Sequence, residues 1–181
     1  MTIEPDDNEL VLECLGGNEH AFETLLLRYK GPVFNAVLRM VRDRDDALDL
    51  TQTAFLKAYE QLQSFDPQHK FFSWLYRIAI NEAINHVKRR SRVEPLTGDW
   101  PALSRSPEDE LLGADLSHRV QEALMRVPPD GRAVLVLRHF LDCSYADIAL
   151  TIGIPEKTVK SRLFEARRQL RDLLEAKGMM R

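Results

Sequence analysis

Lys157, Lys160, Ser161, Phe164 and Arg168 lie close together near the C-terminal end of this 181-residue chain. At about 100° per residue they fall, with Arg171, within one arc of a helix. Val159, Leu163, Ala166, Leu170, Leu173 and Leu174 fall within another arc, its centre roughly 140° away. Cations grouped with a hydroxyl and an aromatic ring are the chemistry of phosphate and base-edge contacts. From Pro155 to Arg181 the chain holds eight Lys or Arg and four acids, a local excess suited to a polyanion. A solvated surface helix closing a bundle would show the same charge, so the residues just upstream matter. Ser144 and Asp147 have the Ser-x-x-Asp spacing of a capping box, Gly153 tolerates the positive φ that ends a helix, and Pro155 presets the first turn of another. Short helix, glycine turn and basic helix together spell a helix-turn-helix.

A second constellation lies mid-chain. Trp74, Arg77, Asn81, Asn85 and Lys88, spaced three, four, four and three, line one side of a helix, opposite Phe72, Tyr76, Ala79, Ala83 and Val87. An exposed tryptophan offers a stacking platform, the amides offer paired donors and acceptors, and the cations track a backbone, which is the chemistry of single-stranded or locally opened DNA. The alternative seats Trp74 at a boundary between helices and leaves the amides to solvent. Lys88, Arg89 and Arg90 favour the first reading, although cations there also complement the helix dipole. The Asp66 to Phe71 loop is either a pocket wall beside this helix or a plain connection.

The elements positioning these residues read as helices throughout. Asn18 can cap a helix carrying Ala21, Phe22, Leu25, Leu26 and Tyr29; Gly31 and Pro32 are expected to interrupt it before Val33, Val37, Leu38 and Val41 continue the stripe. Asp43 to Asp46 opens another, with Ala47, Leu50, Ala54, Ala58 and Leu62 inward. Beyond a Pro-containing stretch, Leu116, Val120, Leu124 and Val127 form a helix stopped by Pro128 and Pro129, and Asp130 is expected to cap an apolar run from Ala133 to Leu141. No alternating strand pattern occurs. The expected fold is all-α: two small helical domains, 1–92 and 114–181, joined by a flexible acidic linker over 93–113, with the helix-turn-helix in the second.

The net charge of −3 conceals this sorting. Residues 66–92 hold six cations against Asp66 and Glu82, whereas 93–116 hold six acids against Arg105. Met1 to Glu19 hold six acids and no Lys or Arg, the opposite of a signal peptide, and no run of eighteen apolar residues exists, so a cytoplasmic protein without membrane insertion is expected. These acidic segments are expected to compete with phosphate for the basic faces, and a flexible linker to leave the two reading surfaces at no fixed separation. Cys14 and Cys143 have no ligand spacing and read as buried thiols. Asp45, Asp46 and Asp49 read as first-turn dipole complements rather than a metal site. With no nucleophile and base pair, phosphate-binding glycine loop or metal-ligand set, neither enzymatic activity nor a cofactor is expected.

From Ala21 to Leu174 the chain resembles the extracytoplasmic-function (ECF) sigma factors of bacterial RNA polymerase. The stretch from Asp46 to Tyr59, with Asp49, Gln52 and Phe55, looks like the family's core-binding helix. Phe72 to Asn81 looks like its promoter-melting segment, and the helix-turn-helix, with Thr158 to Leu163, like its second promoter-binding domain. The resemblance implies docking on core RNA polymerase (β′ clamp helices and β flap) through Asp49, Gln52 and Thr53. It implies opening of the minus-ten element by Trp74, Arg77, Asn81, Asn85 and Lys88, and reading of the minus-thirty-five element by Lys157, Lys160, Ser161, Phe164 and Arg168. An anti-sigma factor is a further implied partner. Two positions depart from the pattern. Thr53 stands where the family commonly has Glu, and Glu165 stands where a basic residue is frequent, so it either repels a phosphate or accepts from a cytosine amino group. A sigma-like decoy for an anti-sigma protein and an autonomous helix-turn-helix regulator are the alternatives; retention of Asn81, Asn85, Lys160 and Arg168 argues against the decoy.

Overall fold

The computed structural model describes residues 5–93 and 114–176, and among these every regular element is helical. In chain order they are α1 (Asp7–Leu15), α2 (Glu19–Val41), α3 (Arg44–Glu60), a 3₁₀ turn (Leu62–Ser64), α4 (Phe71–Val93), α5 (Ala114–Arg126), α6 (Pro129–His139), α7 (Tyr145–Ile152) and α8 (Glu156–Ala176). The linker expected over 93–113 lies, but for Val93, outside the described residues.

Helices α2, α3 and α4 form a three-helix core on which α1 lies. Leu25, Val33, Val37 and Met40 of α2, Ala47 and Ala54 of α3, and Leu75, Ala79 and Ala83 of α4 are buried along the shared axis. Polar contacts set the α3–α4 register: Lys57 donates to Glu82 (2.7 Å), while His86 and Arg90 both contact the Asp46 carboxylate at 3.1 Å. Asp43 caps α3 by accepting from the N–H groups of Asp45 and Asp46. Three of the N-terminal acids are engaged locally. Asp6 and Glu9 make a capping box on α1, and Asp7 takes hydrogen bonds from Arg28 and from the Tyr29 hydroxyl. Burial, then the bond to Asp7, raises the Tyr29 phenol.

Helix α2 departs from its expected course by running unbroken through Gly31 and Pro32. Both residues are exposed, and the apolar stripe of α2 keeps its phase across them. One forfeited ladder bond at Pro32 is outweighed by the buried stripe on either side. Helix α6 also differs: it starts at Pro129, a position where the missing N–H costs nothing, with Pro128 extended before it. Asp130 sits in the first turn rather than at the cap.

In the second half α5, α6 and α8 pack around Ala123, Leu124, Val134, Leu137, Val159 and Leu163, with α7 bridging back to α4. Arg132 is the buried charge at this centre. Its guanidinium donates to the carbonyls of Leu124 (3.1 Å), Met125 (2.6 Å) and Val127 (3.1 Å), which end α5, and to Met40 at the end of α2. Burial lowers it to about 10, so it stays cationic at neutral pH. The two halves are therefore in contact rather than at no fixed separation.

Arg132→Met leaves these carbonyls without their donor inside the protein. It should cost about 3 kcal/mol or more, read as a lower urea midpoint at unchanged m-value.

Candidate nucleic-acid interface

The helix-turn-helix forms as its local chemistry dictates. Ser144 Oγ accepts from the Asp147 N–H (3.0 Å), and Asp147 in turn accepts from the Ser144 N–H (3.2 Å) and hydroxyl (2.6 Å). Gly153 takes φ +74° and closes α7 by donating to the Ala149 carbonyl. The Pro155 carbonyl receives the N–H groups of Thr158 and Val159, starting α8 within three residues of the turn. Val159, Leu163 and Ala166 point into the core. Lys157, Lys160, Ser161, Phe164 and Arg168 stand together on the exposed side. Phe164 is 71% exposed, more than any other large apolar side chain among the described residues, which marks it as a ring held out for contact. Glu165 accepts from Arg168 in two bonds (2.8 and 3.1 Å) and from Gln169 (2.9 Å). That bond to Arg168 holds the Glu165 carboxyl below its ordinary value and raises Arg168.

On α4, Arg77, Asn81, Asn85 and Lys88 form an exposed row, as their spacing requires. Trp74 differs from the exposed platform expected of it. It is half-buried, its ring 5.5 Å from Phe65 and 5.8 Å from Phe71 between centroids, because Phe65 at the end of the 3₁₀ turn folds back over α4. The indole keeps partial exposure and is anchored in the aromatic cluster. Phe72 and Val87, expected inward, are only half-buried; Phe71, Leu75, Ile80 and Ile84 carry more of the core.

On α3, Leu48, Asp49, Gln52, Leu56 and Tyr59 are exposed in succession, and Thr53 is half-buried beside them. Leu48, Gln52, Leu56 and Tyr59 border an open groove of about 610 Å³ whose far wall is Phe22, Leu26 and Phe34 of α2. Three large apolar side chains (Leu48, Leu56 and Tyr59) each 42–60% exposed in one line make a surface that a partner would cover. Sequence reading named the polar members of this row and missed Leu48 and Leu56, whose i, i+8 spacing on either side of Gln52 was the available signal. It also missed Arg132, whose acceptors are the backbone carbonyls of Leu124, Met125 and Val127 at the end of α5 and of Met40 on α2, and it missed the polar contacts that α5 makes with the end of α2. Cys143 is buried, its thiol raised to about 11 chiefly by burial, while Cys14 is only half-buried. No helix among the described residues is long and apolar enough to cross a membrane.

Residues 25–93 match the family model for sigma-70 region 2, and residues 117–170 match that for sigma-70 region 4. The chain is 35% identical to the RNA polymerase sigma-H factor of Pseudomonas aeruginosa, the alignment covering 97% of both. The ECF sigma-E factor of Haemophilus influenzae is 33% identical to it over 97% of this chain and 98% of its own. The chain belongs to the ECF RNA polymerase sigma factors. Among solved structures, CnrH in complex with the cytosolic domain of CnrY superposes on the sigma factor with a TM-score of 0.73 at 27% identity, covering 94% of this chain and 97% of the other. RpoE of Bartonella quintana, in complex with the anti-sigma factor NepR, gives 0.66 at 26% identity over 85% and 96%. As an alternative sigma factor, the protein directs transcription by RNA polymerase.

The cap of α7 gives the sigma factor a testable pH response. Burial would raise Asp147, but bonds from Ser144 and Lys70 hold it below its ordinary 3.8. A carboxyl lower in the folded than in the unfolded chain adds stability that is complete above 3.8 and lost as pH falls through the folded value. Ser144→Ala should lower stability by about 1 kcal/mol at neutral pH. That gap should narrow as the pH falls below 3.8, measured by urea midpoints across the range.

Proposed function

We propose that this sigma factor docks on core polymerase through α3, captures the opened minus-ten strand on α4 and reads the minus-thirty-five element with α8. In this reading 1–92 act as the region 2 unit, 114–181 as the region 4 unit, and 93–113 as the connection between them. The observation that carries it is the division of exposed chemistry among three helices. Helix α3 presents a hydrophobic row with a carboxylate and an amide, which suits a protein. Helix α4 presents amides and cations beside a tryptophan edge, which suits unstacked bases. Helix α8 presents cations, a hydroxyl and a ring projecting from a helix-turn-helix, which suits a duplex major groove.

On α3, Asp49, Gln52 and Thr53 supply polar contacts to the β′ clamp helices, and Leu48 and Leu56 supply the desolvated centre that gives most interfaces their affinity. The region 4 unit meets the β flap. On α4, Asn81 and Asn85 bond base edges, Arg77 and Lys88 hold the strand backbone, and a flipped base stacks at Trp74; flipping costs a few kcal/mol, which stacking of about 1–3 kcal/mol per base and the amide bonds offset. On α8, Lys157, Lys160 and Arg168 contact phosphates or bases, Ser161 a base edge or phosphate, and Phe164 a thymine methyl. An anti-sigma factor is the expected regulator, supported by the two relatives of known structure captured with CnrY and NepR.

Leu56→Asp and Gln52→Ala should weaken binding to core polymerase, the leucine change by about tenfold or more, while leaving duplex binding by the free chain unchanged. Lys160→Ala and Arg168→Ala should each reduce the salt slope of upstream-element binding by about one if the contact is to phosphate. Asn81→Ala should spare polymerase binding and impair promoter opening, with a pre-opened template restoring initiation. Failure of that rescue contradicts strand capture.

A further inference from the structure

The half-buried Glu165 carboxylate sits beside the exposed row of α8 and is occupied from within that helix. Its Oε2 accepts from Arg168 Nε (3.1 Å), and its Oε1 accepts from Arg168 Nη2 (2.8 Å) and Gln169 Nε2 (2.9 Å). Three of roughly four acceptor sites on the carboxylate are thereby filled, so little remains for a cytosine amino group. The contact with Arg168 is side-on, through Nε and one hydrogen of Nη2. Both hydrogens of Nη1 and the other of Nη2 take no part in it, and the edge they form is a planar fork of donors. Side chains of a helix lean toward its N-terminus, and pairing three positions back draws the guanidinium about 4.5 Å along the axis, toward Ser161 and Phe164. Lys157 and Lys160 of the same row enter no ion pair among the described residues.

We propose that Glu165 is a positioning residue that makes Arg168 a reader of guanine in the upstream duplex rather than a phosphate anchor. The proposal rests on the duplex-reading role given to α8 above. An arginine free on its flexible stem is drawn to phosphate, a contact that carries no sequence information. Pairing with Glu165 alters this in two ways. The carboxylate offsets the charge that a phosphate meets and adds a repulsion of its own, which weakens the sequence-independent contact. It also fixes the plane of the guanidinium, while Gln169 steadies the carboxylate from the other side. The remaining fork then keeps the parallel donor spacing that fits N7 and O6 of guanine. Adenine is rejected, because its N6 amino group turns a donor toward the fork. Lys157 and Lys160, without carboxylate partners, keep the phosphate contacts. Exposed ion pairs add little to folding, so Glu165 acts on base preference rather than on stability.

The test uses the full chain bound to core polymerase and a promoter duplex on which that complex initiates, with the upstream element replaced one base pair at a time. Fluorescence anisotropy measures binding at several salt concentrations for wild type, Glu165→Gln, Arg168→Ala and the double variant. Glu175→Gln serves as control, making the same charge change farther along α8. Wild type and control should prefer guanine at one position by roughly tenfold. Glu165→Gln should lose most of that preference, bind the substituted duplexes more tightly than wild type does, and steepen the salt slope by about one as Arg168 turns to phosphate. Arg168→Ala should lose the same preference at the same position, and adding Glu165→Gln should change it no further. A preference that survives Glu165→Gln overturns the positioning role. A slope lowered by about one in Arg168→Ala, with base preference intact, makes Arg168 a phosphate anchor and overturns the proposal. Altered preference at different base pairs in the two single variants makes Glu165 a direct reader and also overturns it. If neither the substitutions nor Lys160→Ala affect wild-type binding at all, the duplex-reading role of α8 fails, and this proposal with it.

Discussion

A single buried guanidinium ties helix ends from both halves of this molecule together. Desolvation works against Arg132, lowering it to about 10, and a charge so placed survives only because carbonyl dipoles converge on it. Three of those carbonyls end α5, so Arg132 closes the α5–α6 corner on which α8 is packed. The fourth, Met40, ends α2. One side chain thus shapes the scaffold under α8 and joins that scaffold to the helix core beneath α4. Because the same fork serves both ends, the orientation of the helix-turn-helix relative to α4 follows from the geometry of two helix termini.

On the proposed function, that coupling bears on how two promoter elements are read together. Two weak reading surfaces gain by being held at promoter spacing, with an effective-concentration advantage that reaches roughly 10². A freely hinged chain would pay in orientation and wait for polymerase to supply the spacing. In this structure α7 lies against α4 and Lys88 is bonded to Asp130. On the proposed function, core polymerase has to reset that arrangement. The hydrophobic row of α3, where Leu48 and Leu56 lie exposed, takes no part in these contacts between the two halves.

The helix-turn-helix was readable from sequence because its determinants are local: Ser144 with Asp147, Gly153 and Pro155 act within a few residues of where they stand. The burial pattern of α8 followed from its period for the same reason. Pro32 misled, because a breaker acts through one lost bond whereas the stripe of α2 acts through many buried side chains. Trp74 misled differently: its side of the helix was right, but the ring that covers it, Phe65, arrives from a turn whose path has no periodic signature. Arg132, Gln121 and Arg42 gave no signal, because their partners are main-chain carbonyls or distant side chains on another helix. The acids of α1 were readable as charge, but the engagement of Asp7 by Arg28 and Tyr29 was not.

Transcription reconstituted from core polymerase and this chain on a pool of genomic promoters tests the account most directly. Initiation confined to a small set of start sites sharing one minus-ten and one minus-thirty-five sequence, and absent with core enzyme alone, is the predicted result. Stable binding to core polymerase without promoter-selective initiation would contradict it.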